Sequence, residues 1–398
     1  MTKSQIREFL FEAKHLTGLL VAAATVAVFL YMGVGAVAQS KSTLSALPPT
    51  PQAPKDNPTT PAKVALGRLL FWDPLLSGPQ DVACASCHHP QNGYAEDRDL
   101  SLGVTGIGLG KSRHQAPGST IPIVKRNSPT LLNIAFSGSD QSGSYDPTTA
   151  PMFWDMRVKS LEKQALEPLK ALEEMRENTY PEGDEAVASV VAKLQANAEY
   201  RSLFAGAFGS EQPVNAENLG RAIAAFERTL LANNSPFDRY MRGDRSAMTE
   251  EQVSGMRRFE SVGCVKCHNG PMFSDYKLHV MGVPDNPALP ASDDGAEKTY
   301  AFRTASLRNL TFTAPYEHNG MFRTLSAVVG FYEDARGGRS RNPNVSSEKL
   351  DPLIRELGDF DEEDVDLIEF LRALSDDSFD RTIPERVPSG LPVGGKIQ

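Results

Sequence analysis

The pentapeptides "CASCH" at residues 84–88 and "CVKCH" at residues 264–268 decide how this chain folds. They contain all four cysteines of the 398 residues, and a histidine directly follows each pair. Two disulfide bonds or a shared zinc ion are the alternative uses of four cysteines. Neither explains two equal spacings that both end in histidine, whereas two thioethers beside an axial histidine are the attachment pattern of c-type haem. We therefore predict two covalent haem c groups, with thioethers at Cys84, Cys87, Cys264 and Cys267 and axial ligands His88 and His268.

The N-terminal residues 1–38 predict export from the cytoplasm. Three basic residues precede an uncharged run over 16–38. The run ends in "AVA", with small residues at the spacing that a signal peptidase accepts, and it is also long enough to remain as a membrane anchor. A flexible Pro-rich tether is expected over 39–62. The remainder of the chain is expected in the periplasm, either soluble or anchored to the inner membrane.

Composition and hydrophobic periodicity predict a mainly α protein. The net charge of −9 disfavours a nucleic-acid partner and suits a basic protein partner. Strand signals are short and few. The segments with apolar residues at helical spacing are 61–71, 159–175, 184–198, 199–208, 215–232 and 361–374. The predicted architecture is two cytochrome c-like haem domains with long ordered loops, at 63–240 and 241–380, followed by a tail at 381–398.

Longer stretches of the sequence resemble the bacterial dihaem cytochrome c peroxidases, in the branch that includes the MauG-type enzymes. The matching stretches are "LGRLLFWDPLLSG", "CASCHHPQNGYAEDR", "RNSPTLLNIAF", "FWDMRVKSLEKQALEPL", "AAFERTLLANNSPFDRY", "CVKCHNGPMFSD" and "FRTASLRNLTFTAPYEHNGMFRTLSAVVGFYED". They follow the family's order over most of residues 63–375. The resemblance implies an oxidoreductase with peroxide as acceptor. It places a peroxide-binding haem on His88 and an electron-transfer haem on His268.

The resemblance also implies roles around the first haem. Trp154 matches a tryptophan between the haems, Glu174 a distal acid that moves a proton between the peroxide oxygens, and Pro168 a proline of the same pocket. A carboxyl group beside an apolar haem face should have a raised pKa. His114 lies in the Gly-rich segment 92–123, where some family members carry a histidine that blocks the iron. Because "KSRHQAPG" matches that pattern poorly, we expect an open site, with a blocking His114 as the alternative.

A calcium site is implied between the two haem domains. Asn127, Thr313 and Pro315 match family positions that hold Ca2+. A side-chain amide oxygen and backbone carbonyl oxygens are suitable ligands for such a hard cation. The resemblance therefore predicts one calcium ion in addition to the two haems.

The sixth ligand of the second haem is left open by chemistry alone. Methionine is the obvious choice, because a thioether stabilises Fe(II). The resemblance favours Tyr332, which lies sixteen residues after Tyr316 of "TAPY" (332 minus 316), at the position of the ligand methionine in related peroxidases. A tyrosine there marks the MauG-type branch, and a phenolate favours Fe(III). Judged from residue type alone, five other side chains could be the sixth ligand: Met272, Met281, Met321, His279 and His318.

Three functions are consistent with these residues. The favoured one is a periplasmic peroxidase that reduces hydrogen peroxide to water with electrons from a small c-type cytochrome or cupredoxin. The alternative is a MauG-like oxidase whose high-valent dihaem state oxidises residues of a partner protein. MauG uses a surface tryptophan two residues before the second motif, where this chain has Val262. A non-enzymatic electron carrier is disfavoured by Glu174, and the resemblance leaves a homodimer open.

Overall fold

Helices carry nearly all the regular structure of residues 43–209 and 211–397, the part of the chain that the computed structural model describes. They are α1 Pro61–Trp72, α2 Cys84–Cys87, α3 Leu161–Gln164, α4 Glu167–Lys170, α5 Gly183–Ala196, α6 Ala198–Phe208, α7 Ala216–Glu227, α8 Pro236–Met241, α9 Glu250–Ser261, α10 Leu325–Arg336 and α11 Val365–Arg372. A π-helical turn, Leu172–Arg176, follows α4. The strand pairs, each antiparallel, are β1 Gly106–Ile107 with β2 His114–Gln115, β3 Pro151–Met152 with β4 Val158–Lys159, and β5 Leu278–His279 with β6 Phe302–Arg303. The predicted mainly α fold is confirmed.

Within these ranges, none of the helices is both long enough and apolar enough to span a membrane. The predicted signal peptide or anchor at 1–38 lies outside the described residues.

The described chain has a first half that ends with α7 and a second half that begins with α8. Each half contains a helix pair that crosses at a glycine. Gly67 of α1 faces α7 so closely that a Cβ atom there would lie 2.0 Å from the carbonyl oxygen of Ala222. Gly255 of α9 faces α11 in the same way, with a distance of 1.9 Å to the carbonyl oxygen of Asp366. Only a residue without a side chain permits such an approach. Because α1 and α9 each precede a Cys-x-x-Cys-His motif, the two helix pairs repeat the same arrangement in the two halves of the chain.

Different apolar clusters lie beside the two motifs. The first half has Leu66 and Leu70 of α1 against residues of α5, α6 and α7. The second half has an aromatic cluster of Phe237, Phe259 and Phe273, with ring centroids 5.1 to 6.0 Å apart. Residues 43–398 nevertheless form one compact unit. The division into two haem domains therefore stays a prediction.

The prediction of a flexible tether over 39–62 is wrong for its described part. Leu44 and Leu47 are buried, Leu44 forms a parallel β-bridge with Gly270, and the backbone N–H of Leu47 donates to Asp238 Oδ1 at 2.9 Å. The proline content suggested a flexible chain, but the two leucines have apolar surface to bury. The beginning of this segment is held on the second half, whereas Asn57 near its end is hydrogen-bonded to Glu162 and Arg221 of the first half.

The predicted tail at 381–398 packs on the first half. Gly395 forms a β-bridge with Val82, and the backbone N–H of Gly394 donates to the carbonyl oxygen of Trp72 at 2.8 Å. Ser86, inside the first motif, donates through Oγ to the carbonyl oxygen of Gly394 at 2.9 Å. The C-terminal segment thus completes the surroundings of the first motif.

Candidate haem sites

The first motif lines a cavity of about 370 Å³. Cys84, Cys87 and His88 all face it. The Nδ1–H of His88 donates to the carbonyl oxygen of Tyr94 at 3.0 Å, which leaves Nε2 as the unprotonated ring nitrogen. Nε2 has only a long contact, 3.4 Å to Ser128 Oγ, which a metal could replace. Burial lowers the pKa of His88 to about 4, so the ring is neutral at physiological pH. The thiols are free in this structure, so the disulfide alternative is not adopted.

The second motif repeats the arrangement in a cavity of about 260 Å³. Cys264, Cys267 and His268 line it, and the Nδ1–H of His268 donates to the carbonyl oxygen of Phe273 at 2.9 Å. Burial also lowers the pKa of His268. Both histidines are therefore oriented and kept neutral in the same way, as axial ligands require.

Arg303 tests whether the two cavities fit haem. Its side chain lines both of them, and its Nε is buried with no hydrogen-bond partner among the described residues. Those residues also supply no carboxylate to its guanidinium. A buried cation without a counter-charge is unfavourable unless a ligand provides one. Haem propionates are such groups, and they form charge-assisted hydrogen bonds with arginine. The residues that line the two cavities therefore fit one haem in each cavity, with Arg303 available to the propionates.

Glu174 lies on the π-helical turn and faces the first cavity together with Pro168 of α4. The single helix predicted over 159–175 is divided here into α3, α4 and the turn, and π-helical turns occur frequently at functional sites. Gly103 of the Gly-rich segment supports the turn, because a Cβ atom there would lie 1.9 Å from the carbonyl oxygen of Glu173. Burial, with a smaller contribution from the neighbouring Glu173, raises the pKa of Glu174 to about 7.

Trp154 lines both cavities and so lies between the two motifs. Its Nε1–H donates to the carbonyl oxygen of Asn127 at 3.0 Å, and its ring meets that of His318 edge-on at 6.5 Å. His318 in turn stacks on Phe302 with ring centroids 3.6 Å apart. The indole is therefore fixed in one orientation between the two sites.

The structure narrows the set of sixth-ligand candidates in the second cavity. Met321 is not among its lining residues. Both ring nitrogens of His279 are hydrogen-bonded, to Asp351 at 2.6 Å and to Asp275 at 3.1 Å, so neither is free for iron. Four candidates still line this cavity: Met272, Met281, His318 and Tyr332. Of these, Met281 and Tyr332 pack in the same apolar clusters.

Tyr332 is held by an acid that the sequence reading overlooked. Its Oη donates to Glu317 Oε1 at 3.5 Å, and Glu317 is another lining residue of the second cavity. Burial, followed by the charge of Glu317, raises the pKa of Tyr332 well above its ordinary value. The phenol is therefore neutral here, and only a bound cation would remove its proton.

Comparison with known proteins assigns the chain to a family. The sequence profile of the family described as di-haem cytochrome c peroxidase matches residues 61–246. The chain is 36% identical over 368 residues to the cytochrome-c peroxidase IdrP1 of Pseudomonas sp. strain SCT, covering 83% of this chain and 85% of that one. The chain belongs to the di-haem cytochrome c peroxidase family.

Further similarities extend this assignment through both motifs. The methylamine utilization protein MauG of Methylorubrum extorquens is 34% identical over 337 residues, with 83% of each chain covered. Among solved structures, a MauG-like protein associated with microbial copper homeostasis matches with a TM-score of 0.66 and 27% identity, covering 84% of this chain and 95% of that one. As a member of the di-haem cytochrome c peroxidase family, the chain is an oxidoreductase, as the sequence predicted.

The three residues predicted to bind calcium line the second cavity. Asn127, Thr313 and Pro315 are all at its edge, and Pro315 follows a cis peptide bond. The side-chain N–H of Asn127 donates to the carbonyl oxygen of Arg98 at 2.7 Å. The backbone carbonyl oxygen of Asn127 accepts from Trp154 Nε1–H. The structure thus brings the three residues to one cavity, and the calcium ion stays a prediction.

His114 is not in position to block the first haem. Its side chain is exposed on β2, and it is absent from the residues that line the first cavity. The preceding residue, Arg113, is buried instead. It forms an ion pair with Glu96 at 2.5 Å and donates to Cys87 Sγ at 3.1 Å. The Gly-rich segment therefore holds the first motif through Arg113, which is buried directly before the exposed strand β2.

We predict that Arg113→Ala lowers the free energy of unfolding by about 3–5 kcal/mol, because it leaves the Glu96 carboxylate buried without its partner. The matched control is Lys111→Ala, since Lys111 is exposed and 3.6 Å from Asp97. That exposed pair should contribute less than about 1 kcal/mol. Denaturant unfolding of the two variants checks the prediction. Equal losses would show that Arg113 does not hold the segment.

Proposed function

We propose that this chain is an exported periplasmic dihaem peroxidase that reduces hydrogen peroxide to water. The electrons come from a small c-type cytochrome or cupredoxin, and the two haems are covalently attached in an N-terminal peroxidatic domain and a C-terminal electron-transfer domain. The observation that carries this proposal is Glu174, an acid with a pKa of about 7 that faces the same cavity as His88. The similarity to IdrP1 supports the same reaction.

The residues of the first cavity have distinct tasks in this reaction. Haem bound on His88 would supply the iron that takes up peroxide and the electrons that cleave the O–O bond. Glu174 accepts the proton of one peroxide oxygen and delivers it to the other, for which a pKa near the working pH is best. Pro168 lines the cavity without offering a donor, so it limits the water around the reacting oxygens. Trp154 positions the two sites relative to each other.

The residues of the second cavity determine which oxidation state of the second haem is favoured. We propose that Tyr332 would hold the second haem together with His268, and that Glu317 would take the phenol proton. A phenolate oxygen favours Fe(III), so this haem would be difficult to reduce before peroxide arrives. Calcium on Asn127, Thr313 and Pro315 would link the two halves.

Steady-state turnover tests this function. We expect the purified holoenzyme to consume hydrogen peroxide while it oxidises two equivalents of a reduced c-type cytochrome or cupredoxin per peroxide. Oxidation of the donor without peroxide consumption would point to an electron carrier and overturn the proposal. Heat-denatured holoenzyme is the control for uncatalysed reaction.

We predict that kcat/KM for peroxide rises with pH until about 7 and then levels off. Below that value Glu174 is protonated and cannot accept the peroxide proton, so activity should fall about tenfold per pH unit. The measurement is the initial rate at low peroxide across the neutral range. The acid limb should be absent in Glu174→Gln, and its persistence there would assign it to another group.

A MauG-like oxidation of a partner protein is the second candidate. Tyr332 in the second cavity and the similarity to MauG favour it. Val262, at the position of MauG's surface tryptophan, is 2% exposed and cannot carry electrons in the same way. Slow peroxide turnover, together with loss of electrons from an added protein, would favour this candidate over the peroxidase.

A further inference from the structure

A second acid faces the first cavity. Glu227 is the last residue of α7, is only 4% exposed, and lines the cavity together with Cys84. Its Oε2 is buried and has no hydrogen-bond partner among the described residues. The C-terminal end of a helix disfavours a negative charge. Burial raises the pKa of Glu227 to about 8, although Arg228 opposes this shift. The side chain therefore holds a proton at neutral pH.

A polar network runs from Arg228, the residue after Glu227, to the surface. Arg228 forms an ion pair with Glu162 of α3, whose Oε1 also accepts from Asn57 Nδ2 at 2.9 Å. The same Asn57 amide donates to the carbonyl oxygen of Arg221 at 3.1 Å. Arg221 reaches the surface, where it pairs at 2.8 Å with Asp56, a side chain that is 68% exposed.

The network and Glu227 together contain three buried polar atoms without partners in the described chain. They are Glu162 Oε2, Arg228 Nη1 and Glu227 Oε2. Unsatisfied buried groups of this kind are the usual partners of ordered internal water, which makes about three hydrogen bonds per molecule. Water shared by the three residues would join two carboxyl groups into one chain of proton donors and acceptors.

The proposed reaction needs such a supply of protons. Reduction of one peroxide to two waters consumes two electrons from the redox-protein donor and two protons from solvent. Glu174 moves a proton that peroxide already carries, so it brings in none from outside. Resting on the proposed peroxidase function, we propose that Glu162 and Glu227, bridged by buried water, conduct the two solvent protons into the first cavity.

The test compares Glu227→Gln with the wild-type holoenzyme. Glutamine keeps the size and polarity of the side chain but cannot release a proton. We expect kcat at saturating peroxide to fall at least about fivefold and the solvent deuterium isotope effect on kcat to increase, because proton supply becomes limiting. Glu227→Asp should restore much of the rate. The matched control Glu185→Gln changes an exposed residue of α5 and should leave both quantities unchanged.

An infrared measurement gives a readout that does not depend on turnover. At neutral pH the difference between the infrared spectra of the oxidised wild type and Glu227→Gln should contain one carboxylic-acid C=O band that shifts in D2O and is missing from the variant, while the band of the partly protonated Glu174 cancels because both proteins contain it. If that band persists in Glu227→Gln, or if its kcat and isotope effect equal those of the wild type, the proton path is wrong. If the wild type itself consumes no peroxide, the peroxidase function fails instead. Haem content, measured after unfolding, shows that the variants are loaded equally.

Discussion

Glu174→Gln is expected to lower kcat/KM for hydrogen peroxide by about 10²- to 10⁴-fold, the usual contribution of a positioned general acid–base group. The amide keeps the shape of the carboxyl group but can neither take the peroxide proton nor return it. The reason for the large effect is geometric. Glu174 faces the His88 cavity from a π-helical turn, with a pKa of about 7.

Glu185→Gln is the control for this substitution, because it makes the same chemical change at an exposed position of α5. Its kcat/KM should equal that of the wild type. Haem content and optical spectra should be the same in both variants, since neither residue is expected to bind haem. A loss of less than about threefold in Glu174→Gln would be too small for a general acid–base group and would assign the proton transfer to another residue.

Tyr332→Met is expected to raise the reduction potential of the second haem by a few hundred millivolts, within the ≈ 0.8 V over which axial ligands tune haem. A thioether stabilises Fe(II), whereas an anionic phenolate stabilises Fe(III). The substitution also removes the hydrogen bond to Glu317. Potentiometric titration followed in the optical spectrum gives the potentials of both haems. The first haem should change little.

Met281→Leu separates Tyr332 from the candidate ligand that packs beside it, because both residues belong to the same apolar clusters. Tyr332→Phe should alter the spectrum of the second haem, and Met281→Leu should leave it as in the wild type. The opposite pattern would identify the thioether of Met281 as the sixth ligand. It would also remove the main argument for the MauG-like function.

The sequence alone predicted the parts of the site that depend on local spacing. The Cys-x-x-Cys-His motifs orient their own histidines through nearby carbonyl groups, those of Tyr94 and Phe273, so short-range geometry was sufficient. Helix α1 begins at Pro61, as the periodicity indicated. Glu174 required the family resemblance, because "EEMRE" by itself is typical of a solvated helix.

The residues that sequence reasoning missed all depend on long-range burial. Arg113 and Glu96 meet only because the Gly-rich segment folds back on the first motif. Glu227 ends an ordinary amphipathic helix, and its contact with the cavity follows from the crossing of α1 and α7. Leu44 and Leu47 lie in a Pro-rich segment, for which the sequence predicts a flexible tether, yet both side chains are buried. A polar residue's neighbours across the fold cannot be read from its neighbours in the chain.

The contact between Ser86 and Gly394 links residues 308 positions apart. During synthesis, the first motif therefore leaves the ribosome long before the segment that covers it. The surroundings of the first haem cannot close until the second half of the chain has been made. If haem is attached to Cys84 and Cys87 before residue 394 has packed, the attachment acts on an incompletely folded chain, and the C-terminal segment then closes over the cofactor.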